Sequence, residues 1–356
     1  MKLFDKLKIV ILGLLVLAAV ISRLIAFQEL SHSSLYHEPI LDSQYYNNRA
    51  MAIASGDWIG NRVFFMSPLY PYFLAIIYFL GGDNIDLVRI IQHFLGILSL
   101  VLFYQVLKQL FAPGTRLLAM AMFVGYPLFV FLESQLLLAS LLTFLVISLL
   151  FFQIRNEKQQ GAGLSLVTGI IIGLLSAGRG TFIVFLPVIL IFIYMRYNPE
   201  KRRKCIITAF LGFALVIGPI CLRNYLVSKQ FVLLTTNSGL NFYIGNNAHS
   251  EGGYVMLDYI DPDKDPSGRL YAESRLKSSL NDKEVSRFWR DLAIQEIRDS
   301  DLSLIAGEGD GQVGDSAHGE PKASDSRSGH LKLRLKRLGP QHAGKVPPVR
   351  SDIRAE

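Results

Sequence analysis

The sequence predicts an all-α membrane protein that crosses the bilayer seven times. Its 356 residues are 51% hydrophobic and 18% charged, with a mean hydropathy of +0.34. Soluble domains carry about 25% charged residues. Apolar runs approaching the roughly 20 residues that a helix needs to cross hydrocarbon follow one another up to about residue 226. This composition excludes an ordinary soluble globular enzyme.

Seven apolar runs are predicted crossings: 8–27, 87–107, 117–132, 134–153, 164–178, 180–196 and 205–223. The first follows a basic start, MKLFDKLK, as a signal peptide would. We interpret it as an anchor because the run is long, has no clean small-residue cleavage site and is followed by further spans.

An eighth apolar segment, 68–80 (PLYPYFLAIIYFL), is short, aromatic and contains two prolines. Basic residues favour the cytoplasmic side of a membrane. The four basic clusters of the first 226 residues fall on one side only if this segment does not cross. We therefore predict an interfacial or re-entrant helix at 68–80 and a cytoplasmic N-terminus.

This topology places two polar regions on the outer face, 28–66 and 227–301. For the second we expect a small, incomplete α+β element outside the cytoplasm. Residues 290–356 contain no Phe, Tyr or Trp and are rich in Gly, Ser, Asp and Arg from about residue 307. Such a composition buries too little apolar surface to fold, so 302–356 is predicted to be a disordered tail. A sharper hypothesis is a loss of the native reading frame near residue 302.

The outer region 28–66 contains the segment with the densest group of candidate functional residues. Asp42 is expected to cap a helix from residue 43 to about 55 that Gly56 terminates. On that helix Asp42, Tyr46 and Arg49 fall on one face at spacings of four and three residues. The spacing presents a carboxylate beside the membrane surface.

The order of these features resembles a known family. An acidic residue outside the first span, a short helix, a Gly-Asp-Trp turn, a Pro-rich aromatic segment and Asp86-Leu-Val-Arg89 follow in sequence. They are similar to the polyprenyl-phosphate-sugar-dependent glycosyltransferases of the protein O-mannosyltransferase and aminoarabinose-transferase type. The resemblance covers roughly residues 5–260. It implies a seven-span glycosyltransferase C-type core in which Asp42 is the catalytic carboxylate, with Glu38 as a substitute.

The chemistry that this resemblance implies needs one base. A sugar leaving a lipid phosphate departs as a stable anion, so no general acid is required, whereas a glycosidase uses two carboxylates. Asp42 would deprotonate the acceptor hydroxyl, which attacks the anomeric carbon from the opposite face. Inversion of configuration is the expected outcome.

The donor phosphate requires cations, and arginine matches its oxygens best. Candidates at the predicted outer ends of the spans are Arg179, Arg89 and Arg223. Arg179 lies in SAGRGTF, between two apolar runs, where members of the resembled family often place a Lys or Arg. The alternative is that each arginine only reaches the membrane interface with its long side chain.

Other polar residues have weaker signals. Tyr46, Arg49 and Glu133 are expected near the substrate, Glu133 as a second acid or headgroup contact and alternatively as a solvated turn residue. His93 is more typical of a hydrogen bond between helices. The segment DPDKDP (261–266) contains an Asp-x-Asp, but its prolines favour a turn. No metal site and no cofactor are predicted, although the chemistry would tolerate a metal.

The leading hypothesis is therefore an integral-membrane glycosyltransferase of the inner or plasma membrane, with its active face outside the cytoplasm. Its expected partners are a polyprenyl-phosphate sugar, an acceptor protein, lipid or glycan, and membrane lipids, with no nucleic acid. Two alternatives stay open. A transporter or flippase of lipid-linked sugars would also need intramembrane arginines, although no internal repeat supports it. A non-catalytic scaffold would use the outer loop only for docking.

Overall fold

The computed structural model describes residues 2–32, 39–247, 250, 257, 259–261 and 264–307, and these contain helices and no strand. The helices are α1 (Lys2–Leu30), α2 (Asp42–Ala54), α3 (Leu69–Gly81), α4 (Ile85–Leu110), α5 (Pro113–Val124), α6 (Pro127–Ser134), α7 (Ala139–Gln159), α8 (Ala162–Gly178), α9 (Phe185–Arg196), α10 (Pro199–Ser228), α11 (Ser238–Asn246), α12 (Arg269–Leu276) and α13 (Asp282–Gly307). A 3₁₀ turn, Gly180–Val184, joins α8 to α9.

The prediction of an all-α membrane protein is confirmed. In the described part of the chain, α1, α4, α7 and α10 are long and apolar enough to span a bilayer. The bent pair of α5 and α6 makes a fifth span if it crosses as one unit, and is otherwise a re-entrant loop. Large apolar side chains on these helices point outward, including Met122 and Leu215, which are 68% and 65% exposed. Such exposure fits a surface solvated by lipid. The count of seven crossings stays a prediction, because α8 and the 180–196 segment are shorter.

The third predicted span is bent by 45° where α5 meets α6. Gly125 follows α5, and Pro127 begins α6. A proline has no N–H to continue the hydrogen bonds of the preceding helix, which explains the break. A second interruption, residues 135–138, separates α6 from α7. The chain is therefore irregular at two points in a region that the sequence predicts as two continuous helices.

The loops predicted to be cytoplasmic meet at one end of the helical core, which we call the basic end. There Lys158 Nζ donates to Gln109 Oε1 at 2.8 Å, and Arg196 Nη2 lies 3.0 Å from Glu157 Oε1. The turn after α9 joins them, since the Asn198 N–H donates to Gln160 Oε1. The basic clusters of these loops therefore share one end.

The opposite end, which we call the site end, contains the ends of α6, α8 and α10 together with α2 and the start of α4. The helix α3 touches this end at both of its termini. Leu69 lies beside Gly178 at the end of α8, and Gly81 packs against Leu87 in the first turn of α4. Tyr78 on α3 also donates to Asn47 on α2. These contacts support the prediction that 68–80 does not cross.

The closest helix contact in the core is between α8 and α10, and glycines permit it. A Cβ added to Gly169 would lie 1.9 Å from the Ala209 carbonyl oxygen, and one added to Gly212 would lie 2.2 Å from the Leu166 carbonyl oxygen. Small residues let membrane helices approach to backbone contact, where van der Waals packing is strongest. This contact fixes α10, whose C-terminal end reaches the site end.

The region after α10 has a small core of its own. Trp289 on α13 is fully buried against Tyr243 of α11, and its Nε1 donates to the Ser267 carbonyl oxygen at 2.9 Å. Three helices, α11 to α13, form this region. The expected α+β element is therefore wrong for the described residues. The tail predicted at 302–356 lies outside them beyond Gly307.

We predict that Gly169→Ala lowers the melting temperature of the protein in detergent. The new methyl group would collide with backbone, and such overpacking costs about 1–3 kcal/mol. Gly163→Ala, on the same helix, is the control, because a Cβ there meets nothing within 4 Å. An equal melting temperature for the two variants, followed by circular dichroism, would contradict the close contact.

Candidate active site

Asp42 is the first residue of α2 and lies at the site end. Its side chain is exposed and has no hydrogen-bond or ion-pair partner among the described residues. The expected cap is wrong in detail: Leu41 occupies the N-cap position, and no side chain caps the helix. Leu41 has a φ of 52°, which costs a non-glycine residue about 1–3 kcal/mol. A strained turn thus presents an unpaired carboxylate.

Asp42 lines a cavity of about 470 Å³ between the membrane core and the region after α10. Most of the wall is apolar. The polar groups are few and lie on two facing elements: Asp42, Ser43 and Tyr45 on α2, and Asn237 and Asn241 at the start of α11. Asp42 is the one acid among the described lining residues. An apolar cavity with a few convergent polar groups is the usual form of a binding site.

The protein around Asp42 raises the pKa of its carboxyl group above the ordinary 3.8, because partial burial disfavours the charged form. The residue is exposed although protein atoms crowd it, so the carboxyl group is partly desolvated and still accessible. A carboxylate with a raised pKa is a stronger base. This shift suits proton abstraction from an acceptor.

The charges of Arg179 and Asp42 both influence the pKa of the Tyr46 hydroxyl group. Tyr46 is buried, and burial raises its pKa to about 12. Within this net shift, a hydrogen bond with Ser67 lowers the pKa, the negative charge of Asp42 raises it, and the positive charge of Arg179 lowers it. Arg179 sits in the extended link after α8, is exposed, and has no hydrogen-bond or ion-pair partner for its guanidinium in the described part of the chain. Two charges without a described partner therefore lie close enough to Tyr46 to influence its hydroxyl group.

Arg89 is buried in the first turns of α4. Its Nε donates to the Ser134 carbonyl oxygen at 2.9 Å, and its Nη1 lies 3.3 Å from Asp86 Oδ1. Arg89 also lines a smaller cavity of about 100 Å³ together with Ile40, two residues before Asp42, and Ser43, the residue after it. The structure therefore brings Arg89 to the same part of the site end as Asp42.

Arg223 and Arg49 hold the loop that follows α2. The Arg223 guanidinium lies 3.9 Å from the centroid of the Phe64 ring, and its Nε donates to the Ile59 carbonyl oxygen. Arg49 Nη1 lies 2.5 Å from Asp57 Oδ2, and this hydrogen bond lowers the pKa of the Asp57 carboxyl group. Neither arginine lines the Asp42 cavity. Their predicted contacts with substrate stay predictions.

Glu133 is buried at the end of α6, so the alternative of a solvated turn residue does not hold. Its Oε1 lies 2.7 Å from Arg23 Nη2 on α1, and its Oε2 lies 3.1 Å from His93 Nδ1 on α4. His93 thus bonds between helices, as its sequence position suggests. Both oxygens of Glu133 are engaged inside the protein. Glu38, the substitute for Asp42, lies outside the described residues.

Sequence reasoning missed three buried polar residues. Arg23 interrupts the first apolar run, and an ionisable residue within a membrane span is itself a signal. Gln92 donates to the carbonyl oxygens of Glu133 and Gln135 and accepts from the Tyr70 hydroxyl. Asn224 donates to the carbonyl oxygens of Val232 and Leu234. The two amides had no signal, since their partners are distant in sequence or are backbone carbonyl groups.

No group of His, Cys, Asp and Glu residues in the described ranges could hold a metal ion. Two acids of the DPDKDP segment serve its turns. Asp261 Oδ1 accepts from the Lys264 N–H, and Asp265 Oδ2 accepts from the Leu270 N–H. Both oxygens stabilise local backbone, as the prolines of the segment suggest.

A sequence model of the family described as dolichyl-phosphate-mannose-protein mannosyltransferase matches residues 66–222. This part of the chain is similar to that family. The match runs from the loop before α3 through most of α10, so it contains Arg89, Glu133 and Arg179. It confirms the resemblance to polyprenyl-phosphate-sugar glycosyltransferases and supports membrane glycosyltransferase activity. No curated protein matches the chain.

We predict that Arg223→Gln accelerates amide hydrogen exchange in residues 57–64. The loop would lose its charge-assisted bonds, each worth about 1.5–3 kcal/mol. Arg179→Gln is the matched control, because Arg179 has no bond to this loop in the described chain. Unchanged exchange at 57–64 in the Arg223 variant, measured by mass spectrometry, would show that the guanidinium is dispensable for the loop.

Proposed function

We propose that this protein transfers a sugar from a polyprenyl-phosphate donor to an acceptor hydroxyl outside the cytoplasm, with Asp42 as the base. The observation that carries the proposal is the unpaired Asp42 carboxylate at an apolar cavity, beside a membrane core that matches a glycosyltransferase family. The topology supports the choice of face, since the basic end is expected in the cytoplasm.

The donor phosphate is proposed to bind at Arg179, with Arg89 as a second contact. Arg179 is the better candidate because its guanidinium is exposed and unpaired in the described chain. A planar guanidinium matches two phosphate oxygens at once. Arg179 and Asp42 both act electrostatically on the Tyr46 hydroxyl group, which supports placing phosphate and base near one another. Arg223 is a weaker candidate, because its contacts hold the 57–64 loop.

The proposed reaction is a direct displacement at the anomeric carbon. Asp42 accepts the proton of the acceptor hydroxyl, the acceptor oxygen bonds to the anomeric carbon, and the bond to the phosphate oxygen breaks. The leaving group is a phosphate anion that needs no proton, and arginine stabilises its charge. Attack opposite the leaving group inverts the anomeric configuration.

We predict that Asp42→Asn lowers kcat for sugar transfer about 10²- to 10⁴-fold, the usual contribution of a general base. The amide keeps the size of the side chain but cannot accept the proton. The measurement is transfer from a labelled polyprenyl-phosphate sugar by membranes that contain the protein. If the protein were a transporter, both the unchanged protein and the variant would bind the donor without transferring sugar. If it were a scaffold, the substitution would not change the result of this assay.

Asp83→Asn is the matched control, because Asp83 is an exposed acid in the turn before α4. Its activity should equal that of the unchanged protein. Glu38→Gln tests the substitute base in the same assay. Full activity of Asp42→Asn together with loss in Glu38→Gln would move the base to Glu38 and overturn the assignment.

We predict that Arg179→Gln raises the KM for the donor about 10- to 100-fold, because a charge-assisted bond to phosphate contributes about 1.5–3 kcal/mol. Arg179→Lys should recover part of the loss, since it restores charge without the fork. Arg62→Gln, an exposed arginine at the same end of the core, is the control. A donor KM that does not change in Arg179→Gln would remove Arg179 from the phosphate site.

A further inference from the structure

Three successive carbonyl groups at the end of α6 are held by side chains of α4. Gln92 Nε2 donates to the carbonyl oxygens of Glu133 and Gln135, each at 2.8 Å, and Arg89 Nε donates to that of Ser134 at 2.9 Å. The last carbonyl groups of a helix have no partner within it. In a membrane core such groups must find partners in protein. The polar face of α4 supplies these partners.

The Glu133 side chain fastens the same turn to a third helix, α1. Arg23 Nη2 lies 2.7 Å from Oε1 and Arg23 Nη1 donates to the Ala19 carbonyl oxygen. The other oxygen, Oε2, lies 3.1 Å from His93. Gly96 makes room for this carboxylate, since a Cβ there would lie 2.0 Å from Oε1. The carboxylate is enclosed and both oxygens are used.

The residues that follow this turn form walls of the two site cavities. Gln135 and Leu136 line the smaller cavity beside Arg89 and Ser43, and Leu137 lines the Asp42 cavity. The segment 135–137 has no helical hydrogen bonds of its own to fix it, since it lies between α6 and α7. Its position therefore depends on how the end of α6 is held.

We propose that Glu133 is a positioning residue: held by Arg23 and His93 inside the membrane core, it fixes the 135–137 wall, which lines the cavities beside Arg89 and Asp42. The inference rests on the proposed function for the role of that wall. Glu133 takes no part in proton transfer, because it has no free oxygen and no access to the cavity that Asp42 lines. Arg23 and Gly96 support the same role, because Arg23 binds the Glu133 carboxylate and Gly96 leaves space for it.

The test uses the full chain in lipid nanodiscs with three readouts: amide exchange at 135–137, melting temperature, and the KM and kcat for a labelled polyprenyl-phosphate sugar. Glu133→Gln should accelerate exchange at 135–137 by about tenfold or more and raise the donor KM by about fivefold or more, corresponding to losses of roughly 1 kcal/mol. The effect on kcat should be smaller than that on KM. Ser148→Ala, a buried hydroxyl on α7 that bonds only to Phe144, should change none of them.

Two further variants separate positioning from stability. Arg23→Met with Glu133→Leu removes both charges, and such replacement of a buried ion pair is often neutral for stability. The melting temperature of this double variant should be close to that of the unchanged protein. Its amide exchange at 135–137 and its donor KM should stay as high as those of Glu133→Gln. Gly96→Ala keeps every charge and should reproduce both changes by displacing the carboxylate.

Recovery of exchange and KM together with melting temperature in the double variant would overturn the inference, because Glu133 would then be only structural. Wild-type exchange at 135–137 in Gly96→Ala or Glu133→Gln would also overturn it. The exchange readout does not depend on catalysis. If the unchanged protein transferred no sugar, the proposed function would fail while exchange still decided whether Glu133 positions the wall.

Discussion

The structure of the site end depends on one constraint, namely that every backbone polar group within a membrane core needs a partner. The end of α6 breaks the regular hydrogen bonds of a span and leaves carbonyl groups open. Arg89 and Gln92 on α4 occupy these groups, and Glu133 ties the turn to Arg23 on α1. One polar helix face thereby allows an irregular segment to exist beside the cavity that Asp42 lines.

The charged residues of the site end fall into two groups, those that bind other protein groups and those that have no such partner among the described residues. Arg49 and Arg223 are committed to the 57–64 loop, and Glu133 is committed to Arg23. Asp42 and Arg179 have no such commitment among the described residues. An unpaired charge beside a low-dielectric core costs free energy that folding has to offset. Strain at Leu41 adds to that cost. Local rules of stability are broken most often at functional sites, which is where these two residues are proposed to act.

Much of the fold could be predicted from the sequence because its signals are local. Apolar length and basic clusters identified the long spans, and spacing identified α2, whose buried face contains Tyr46 and Ile53. The bend at Pro127 and the interruption at 135–138 were not predicted, because the length of an apolar run does not show where its helical hydrogen bonds are broken. The expected α+β element is wrong for the described residues because Gly- and Asn-rich segments are compatible with short helices as well as strands.

The candidate site was predictable in its residue types and less so in its partners. Asp42 stood out through its place at the start of a predicted helix and through the family resemblance, and Arg179 stood out because it lies between two apolar runs. Whether an arginine faces a ligand or a carbonyl group depends on residues far away in sequence, as Arg223 shows with Ile59, 164 residues earlier. The role of Glu133 depends on three helices at once, so no local pattern contains it.

The arrangement of acids also bears on the kind of reaction. A glycosidase needs two free carboxyl groups, about 5–10 Å apart, across a sugar. Among the described residues that line the cavity, Asp42 is the one acid, and the nearby acids Asp57 and Glu133 are engaged by arginines. A single base is sufficient only if the leaving group departs without a proton, and a lipid phosphate does so. The scarcity of free acids therefore favours transfer from a phosphate-linked sugar over hydrolysis of a glycosidic bond.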